Sequence, residues 1–278
     1  MIDSGTASDG EEWFVTALYF ASGRWGNGRG IFNYGAEAQA ILDAMLDKKD
    51  ESGAIGIVTN LFREKEKLVV FVPSVEGATF TDPSYHLPHY YELWARWSKS
   101  RNEFWCGAAS ASRQFLHNAL NTSTGLSSDY ALFDGTPLDR WGGGTNDFRY
   151  DAWRVGMNVA IDYLWFAKDP WEVTQSNRLL SFFHAQGMKT YGGLYTLTGT
   201  LYPSDHSVGL VAMNGAVCLA STNENRREFV QQLWETATPK GIYRYYDGLL
   251  YLMGMLQVSG NFRIYDPLGV PVQACSKE

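Results

Sequence analysis

The sequence predicts an all-α protein built from helices in antiparallel pairs, and three observations carry that expectation. Apolar residues recur at helical spacing in segment after segment, separated by polar or Gly/Pro-rich loops. Only one stretch clusters residues as a strand pair does. No strict repeat or low-complexity linker breaks the rhythm, so residues 1–278 are expected to form one domain of about nine or ten helices.

Taken in order, Ser8-Asp-Gly-Glu11 reads as a capping box that opens a helix over about Glu11 to Ser22. Trp13, Phe14, Ala17, Leu18 and Ala21 would face inward, and Gly23 would end the helix. The glycines of Arg24 to Gly30 follow no strand, so they are not read as a phosphate loop. Ala38, Ile41, Leu42 and Met45 place a second helix over about Tyr34 to Asp47. Ile55 to Leu61 and Leu68 to Pro73, joined by charged residues, predict a small β-hairpin outside the helical body. Two helices follow, over about His89 to Lys99 and Glu103 to Ala119. A long irregular stretch, Asn121 to Asp147, has the length at which loops are functional or disordered. Further helices are expected over about Tyr150 to Phe166, Pro170 to His184, Ser207 to Ser221, Asn225 to Thr236 and Tyr245 to Val258.

Composition removes several function classes. A formal charge of −7 without a Lys/Arg cluster argues against a nucleic-acid partner, which demands a basic surface. No apolar run approaches the ~20 residues of a membrane helix. Ten Trp, 16 Tyr and 15 Phe supply aromatic faces on which a neutral ligand such as a sugar can stack, besides those needed for the core. Cys106, Cys218 and Cys275 have no close spacing, and no disulfide is expected. The start shows no basic region followed by an apolar stretch, which predicts a cytoplasmic protein. His86 and His89 lack a third ligand, so neither a metal nor a cofactor is assigned. Gly-x-Ser-x-Gly and P-loop patterns are absent.

The most informative stretch is Asp147 to Asp162. Asp151 follows the flexible run Gly142 to Asn146 and is expected in the first turn of the next helix, where the helix dipole and Arg154, three residues on, favour a carboxylate. Such an aspartate is either a helix cap with a local ion pair or a catalytic group. Trp25 and Trp141 fall in predicted loops, where tryptophan commonly serves binding, and Tyr245 or Tyr246 could line a sugar cleft at the start of the last helix.

Four blocks in order, Asp9-Gly-Glu-Glu-Trp-Phe14, Phe80-Thr-Asp-Pro-Ser-Tyr-His-Leu-Pro-His89, Tyr150-Asp-Ala-Trp-Arg-Val155 and Arg244-Tyr-Tyr-Asp247, resemble family 8 glycoside hydrolases, in particular the reducing-end xylose-releasing exo-oligoxylanases. The resemblance runs from Ser8 to about Tyr265. It implies an (α/α)6 barrel and an inverting mechanism on β-1,4-linked xylo-oligosaccharides, with xylose released from the reducing end or, alternatively, endo cleavage. By the same resemblance Asp151 is the general base, Asp9 holds the distorted sugar, Tyr85 holds the nucleophilic water, and Arg154 braces the base. His206 matches a histidine that reads the reducing end, although Asp205-His-Ser207 stands where Leu-His-Pro is the expected pattern. An inverting enzyme also needs a carboxylic acid ~6.5–9.5 Å from its base. The family's acid is a glutamate in an Arg-Thr-Glu-Gly-Met-like helix upstream of the Asp-Gly-Glu-Glu block. This sequence starts eight residues before that block, so the acid and roughly three barrel helices, ~50 residues or more, are expected to be missing. A chain without the acid would bind sugars yet cleave them ~10²–10⁴ more slowly, and an open barrel side would favour a homo-oligomer.

Overall fold

The computed structural model describes residues 5–50, 52–53 and 56–267. Among these, nine α-helices supply nearly all regular structure: α1 Ser8–Trp25, α2 Tyr34–Asp47, α3 Pro88–Trp97, α4 Asn102–Ala119, α5 Trp153–Phe166, α6 Trp171–Ala185, α7 Val208–Val217, α8 Arg226–Glu235 and α9 Tyr246–Val258. None is long and apolar enough to cross a membrane. The chain divides into two compact units, one of Met1–Phe115 with Ile264–Glu278 and the other of Leu116–Arg263.

In the first unit α1 starts three residues before the expected position, because Ser8 is itself helical and its N–H donates to the Phe71 carbonyl at 3.3 Å. No side chain caps this end, so the capping box does not form. Phe14 is 67% exposed, while Glu12, Val15, Thr16, Tyr19 and Ser22 are buried. The inward stripe of α1 is therefore half polar, which is why apolar spacing misassigned it. Gly23 lies inside the helix rather than at its end, where a Cβ would sit 2.5 Å from the Asp266 carbonyl oxygen. Gly26 is the cap instead, with φ +79° and its N–H on Ser22.

Two of the buried polar groups of α1 are satisfied by α3. Tyr91 donates to Glu12 Oε1 at 2.5 Å, and Trp94 Nε1 donates to Thr16 at 3.0 Å. Trp94 meets Trp105 edge to face at 5.0 Å, and Phe62 meets Trp105 and Tyr91 in the same manner at 5.2 and 5.4 Å. Phe62 belongs to the predicted hairpin, of which Ile55 lies outside the described residues. The pairing forms only as isolated bridges, Val58 with Ser74 and Phe62 with Val69. Contrary to expectation this element enters the core, since an edge-to-face aromatic cluster supplies more buried area than a free-standing hairpin can retain. Cys106 is disulfide-bonded, which corrects the expectation of free thiols, whereas Cys218 is free and Cys275 lies outside the described residues. Bonded sulfurs are close in space, and spacing along the chain carried no sign of it.

The second unit is organised around α7, which packs on α5, α6, α8 and α9. Leu210, Val211, Ala212, Met213, Ala216 and Val217 are all buried, so apart from Asn214 the helix presents apolar residues on every side. Small residues bring the axes close: a Cβ on Gly254 of α9 would lie 2.8 Å from the Ala212 carbonyl oxygen. The stretch 121–147 is an ordered loop, with Asp139 accepting the amides of Gly144 and Thr145 and with Ala131 bridged to Pro137.

Candidate active site

Asp151 does not lie in the first turn of a helix. Helix α5 begins at Trp153, with Ala152 as the N-cap and no side-chain cap bond, so Asp151 occupies the preceding turn. This disfavours the helix-cap reading. The ion pair implied by the spacing is present, with Arg154 Nη2 donating to Asp151 Oδ1 at 2.9 Å. The turn is fastened from both sides. Phe148 and Tyr195 exchange backbone bonds of 2.9 and 3.1 Å, and Tyr246 donates its hydroxyl to the Tyr150 carbonyl at 2.6 Å.

Asp151 lines a cavity of about 890 Å³ within the second unit. One wall is aromatic, formed by Tyr150, Trp153, Tyr243 and Tyr246, with the Trp153 ring 5.5 Å from Tyr150 and 6.0 Å from Tyr246. Trp153 is oriented by its Nε1–H, which donates to the Gly193 carbonyl at 2.9 Å. A Cβ at Gly193 would stand 2.8 Å from Trp153 Cζ2, so this rotamer requires glycine there. The other wall carries Pro203, Ser204, Asp205, Ser207 and Asp247.

Two of its polar groups were not singled out by sequence reasoning. Ser207 accepts the amides of Gly209 and Leu210 as the N-cap of α7 and donates to Asp247 Oδ2 at 3.2 Å. Burial raises the pKa of Asp247, against the lowering effect of the Ser207 hydroxyl and the Gly209 amide. Asp247 closes one of the four resemblance blocks, so a signal existed, whereas Ser207 stood out only as a departure. Asp129, behind Asp151, gave no signal at all. It is 6% exposed and accepts the Ala152 N–H at 3.1 Å. Burial pushes its carboxyl up to about 7; the Ala152 amide opposes the shift, the neighbouring Asp151 adds to it, and Arg149 and Arg154 oppose it.

The second unit thus brings Asp151 and Tyr246 to one cavity, with Arg154 on the Asp151 carboxylate. Three further candidates of this unit do not line it. His206 Nδ1 donates to the Tyr191 carbonyl at 2.7 Å and Nε2 meets the Gln232 amide at 3.0 Å, so both ring nitrogens are occupied within the protein. Tyr245 caps α9 and is 75% exposed. Trp141, at φ +59°, lies against Tyr130 and Arg140. The remaining candidates belong to the first unit. Asp9 is in the first turn of α1, Tyr85 is buried and stacked on Phe71, and Trp25 is the last residue of α1 rather than a loop residue. Among the described residues no group of three His, Cys, Asp or Glu side chains could hold a metal.

The second unit carries an acidic, aromatic-walled cavity on inter-helix loops, and comparison with known proteins gives the family. The profile of glycosyl hydrolases family 8 matches residues 1–260, and the chain belongs to that family. It is 42% identical over 268 residues to the reducing-end xylose-releasing exo-oligoxylanase Rex8A of Paenibacillus barcinonensis, covering 95% of this chain and 68% of the relative. Endoglucanase A of Acetivibrio thermocellus is 30% identical over 93% of this chain and 50% of its own length. Among solved structures, a GH8 xylobiose complex from Teredinibacter turnerae superposes with a TM-score of 0.89 at 43% identity, covering 94% of this chain and 68% of that one. The fold class is accordingly the all-α, (α/α)6 class of the family.

Proposed function

We propose that this chain is an inverting glycosidase acting on β-1,4-xylo-oligosaccharides, with Asp151 as the general base and release of xylose from the reducing end. The observation that carries the reading is the placement of Asp151, ion-paired at 2.9 Å to Arg154 and lining an aromatic-walled cavity. At about 890 Å³ the cavity is near the upper end of the roughly 300–1,000 Å³ of small-molecule sites, which suits several sugar rings better than one. Aromatic faces accept the C–H faces of pyranose rings, and a carboxylate beside them removes a proton from water attacking the anomeric carbon. Arg154 is proposed to brace the base, and by the family resemblance alone Asp9 is assigned to sugar holding and Tyr85 to water holding. Support for xylan-type substrates comes from the exo-oligoxylanase and the xylobiose complex among the relatives.

The test separates base from acid. β-Xylobiosyl fluoride loses fluoride without protonation, so its hydrolysis needs the base but no proton donor. Wild-type turnover with initial release of the α-anomer, reduced by ~10²–10⁴ in Asp151→Asn, is expected. Equal turnover in the two proteins would refute the assignment. Xylotriose and xylohexaose carrying ¹⁸O at the reducing end then report the mode of action. Exo action yields labelled xylose alone at early times, whereas endo action, known in the family from its endoglucanases, yields labelled oligomers.

A further inference from the structure

The second unit buries a carboxyl group for which the reaction as described has no use. Asp129 is held in place by its own N–H, which donates to the Asp147 carbonyl at 3.1 Å, and its Oδ1 accepts the amide of Ala152 at 3.1 Å. Ala152 directly follows the residue read as the base. Asp129 therefore holds the Asp151 turn at Ala152, the N-cap of the helix that Trp153 begins. An asparagine would satisfy the same amide without burying an ionisable group, so accepting one N–H does not by itself account for an acid. What the acid adds is charge. Asp151, Arg149 and Arg154 all act on Asp129, Asp147 accepts the Tyr202 hydroxyl through Oδ2 at 2.8 Å, and Asp205 and Asp247 line the same cavity as Asp151. Arg149 in turn lies over the Tyr202 ring at 5.7 Å.

We propose that Asp129 is a positioning residue for Asp151, which fixes the base-bearing turn through the Ala152 amide and, when ionised, strengthens the base by placing a second negative charge in the field of Arg149 and Arg154. The inference rests on the reading of Asp151 as the general base. Loss of the Asp129 proton makes protonation of Asp151 more favourable, and a base with higher proton affinity accepts the water proton more readily in the transition state. The geometric role acts through backbone position, where a shift of about 1 Å in a reacting group can cost ~10²-fold in rate.

The experiment compares wild type, Asp129→Asn, Asp129→Ala and Asp151→Asn on β-xylobiosyl fluoride between pH 5 and 9, together with ¹³C-carboxyl NMR of aspartate-labelled protein. Wild type is expected to show a step of roughly two- to threefold in kcat centred near the Asp129 titration at about 7, rising toward high pH. Asp129→Asn keeps the acceptor and loses the step, with kcat within about fivefold of wild type at pH 6. Asp129→Ala loses ~10²-fold in kcat with KM changed less than about threefold. In the NMR titration the Asp129 resonance moves near 7 in wild type and at lower pH in Asp151→Asn, where the neighbouring charge is gone. A step that persists in Asp129→Asn, or a wild-type kcat in Asp129→Ala, overturns the proposal. Should Asp129→Ala not fold, the Asp129→Asn profile decides. Undiminished turnover in Asp151→Asn refutes the base reading instead, and in that case, or if no substrate turns over, an Asp129 midpoint indifferent to Asp151→Asn overturns the electrostatic coupling.

Discussion

Asp129→Asn should stabilise the protein, and the gain should grow with pH. The carboxyl of Asp129 moves from an ordinary 3.8 to about 7 on folding, chiefly because burial disfavours its charge. Between those values the folded chain holds a proton that the unfolded chain has released. Unfolding then releases a proton, so stability is fully present below 3.8 and falls as pH rises to about 7, by up to about 1.4 kcal/mol per unit. Over roughly three units this amounts to at most about 4 kcal/mol, all of it absent from an asparagine that keeps the Ala152 bond. Groups remote from Asp129 contribute equally to both proteins and cancel in the difference. From pH 5 to pH 7 the difference grows by about 2–3 kcal/mol, or roughly 5–10 °C in Tm at ~2–4 °C per kcal/mol. Thermal melts of both proteins at half-unit intervals would measure it. Melting curves whose separation is the same at pH 5 and pH 8 would refute the assignment of a costly buried carboxyl.

Two further outcomes follow from named contacts. His86 is buried between Thr81, at 3.0 Å from Nε2, and Ser112, at 3.1 Å from Nδ1, and burial lowers its pKa from 6.5 to about 3. The unfolded chain takes up a proton in that window and the folded chain does not, so stability falls as pH drops from 6.5 toward 3. His86→Phe should remove up to about 1.4 kcal/mol per unit of that acid sensitivity in urea titrations, while costing ~1–3 kcal/mol at pH 8 for the two hydroxyls left unpaired. Gly193→Ala should displace the Trp153 indole, whose Cζ2 would stand 2.8 Å from the new Cβ. The expected result is a KM raised by about tenfold or less with an unchanged far-UV spectrum, and an unchanged KM would remove Trp153 from the binding wall.

The helices were legible in the sequence wherever local chemistry decides. Helix α2 spans Tyr34–Asp47 as its apolar spacing requires, with the Asn33 side chain accepting the Ala36 amide. Local rules failed where distant residues intervene. Ser8 is drawn into α1 by the Phe71 carbonyl, and Gly23 answers to the backbone of Asp266 rather than to helix termination. At the site, Asp151 and Arg154 were legible because three residues separate them. Asp129 was not, since its bond to Ala152 spans 23 residues and nothing in Ser127-Ser-Asp129-Tyr130 announces it. His206 stands where the resemblance places it, and its two nitrogens meet Tyr191 and Gln232 within the protein, partners that no local pattern announces.

These long-range bonds change what positions Asp151. Had Asp151 been in the first turn of α5, helical geometry alone would have fixed it. Instead it sits on a turn tied down by Tyr195 to Phe148, by Tyr246 to the Tyr150 carbonyl over 96 residues, and by Asp129 to the Ala152 amide. Each tie comes from a different part of the second unit, so the precision of the site depends on that unit packing as a whole. The acids Asp129 and Asp247 are buried where apolar groups of similar size would be more stable, and Gly193 stands where any side chain would displace Trp153. Around this cavity local rules of stability are broken at several positions at once, as expected where a fold gives up stability for a binding or catalytic site.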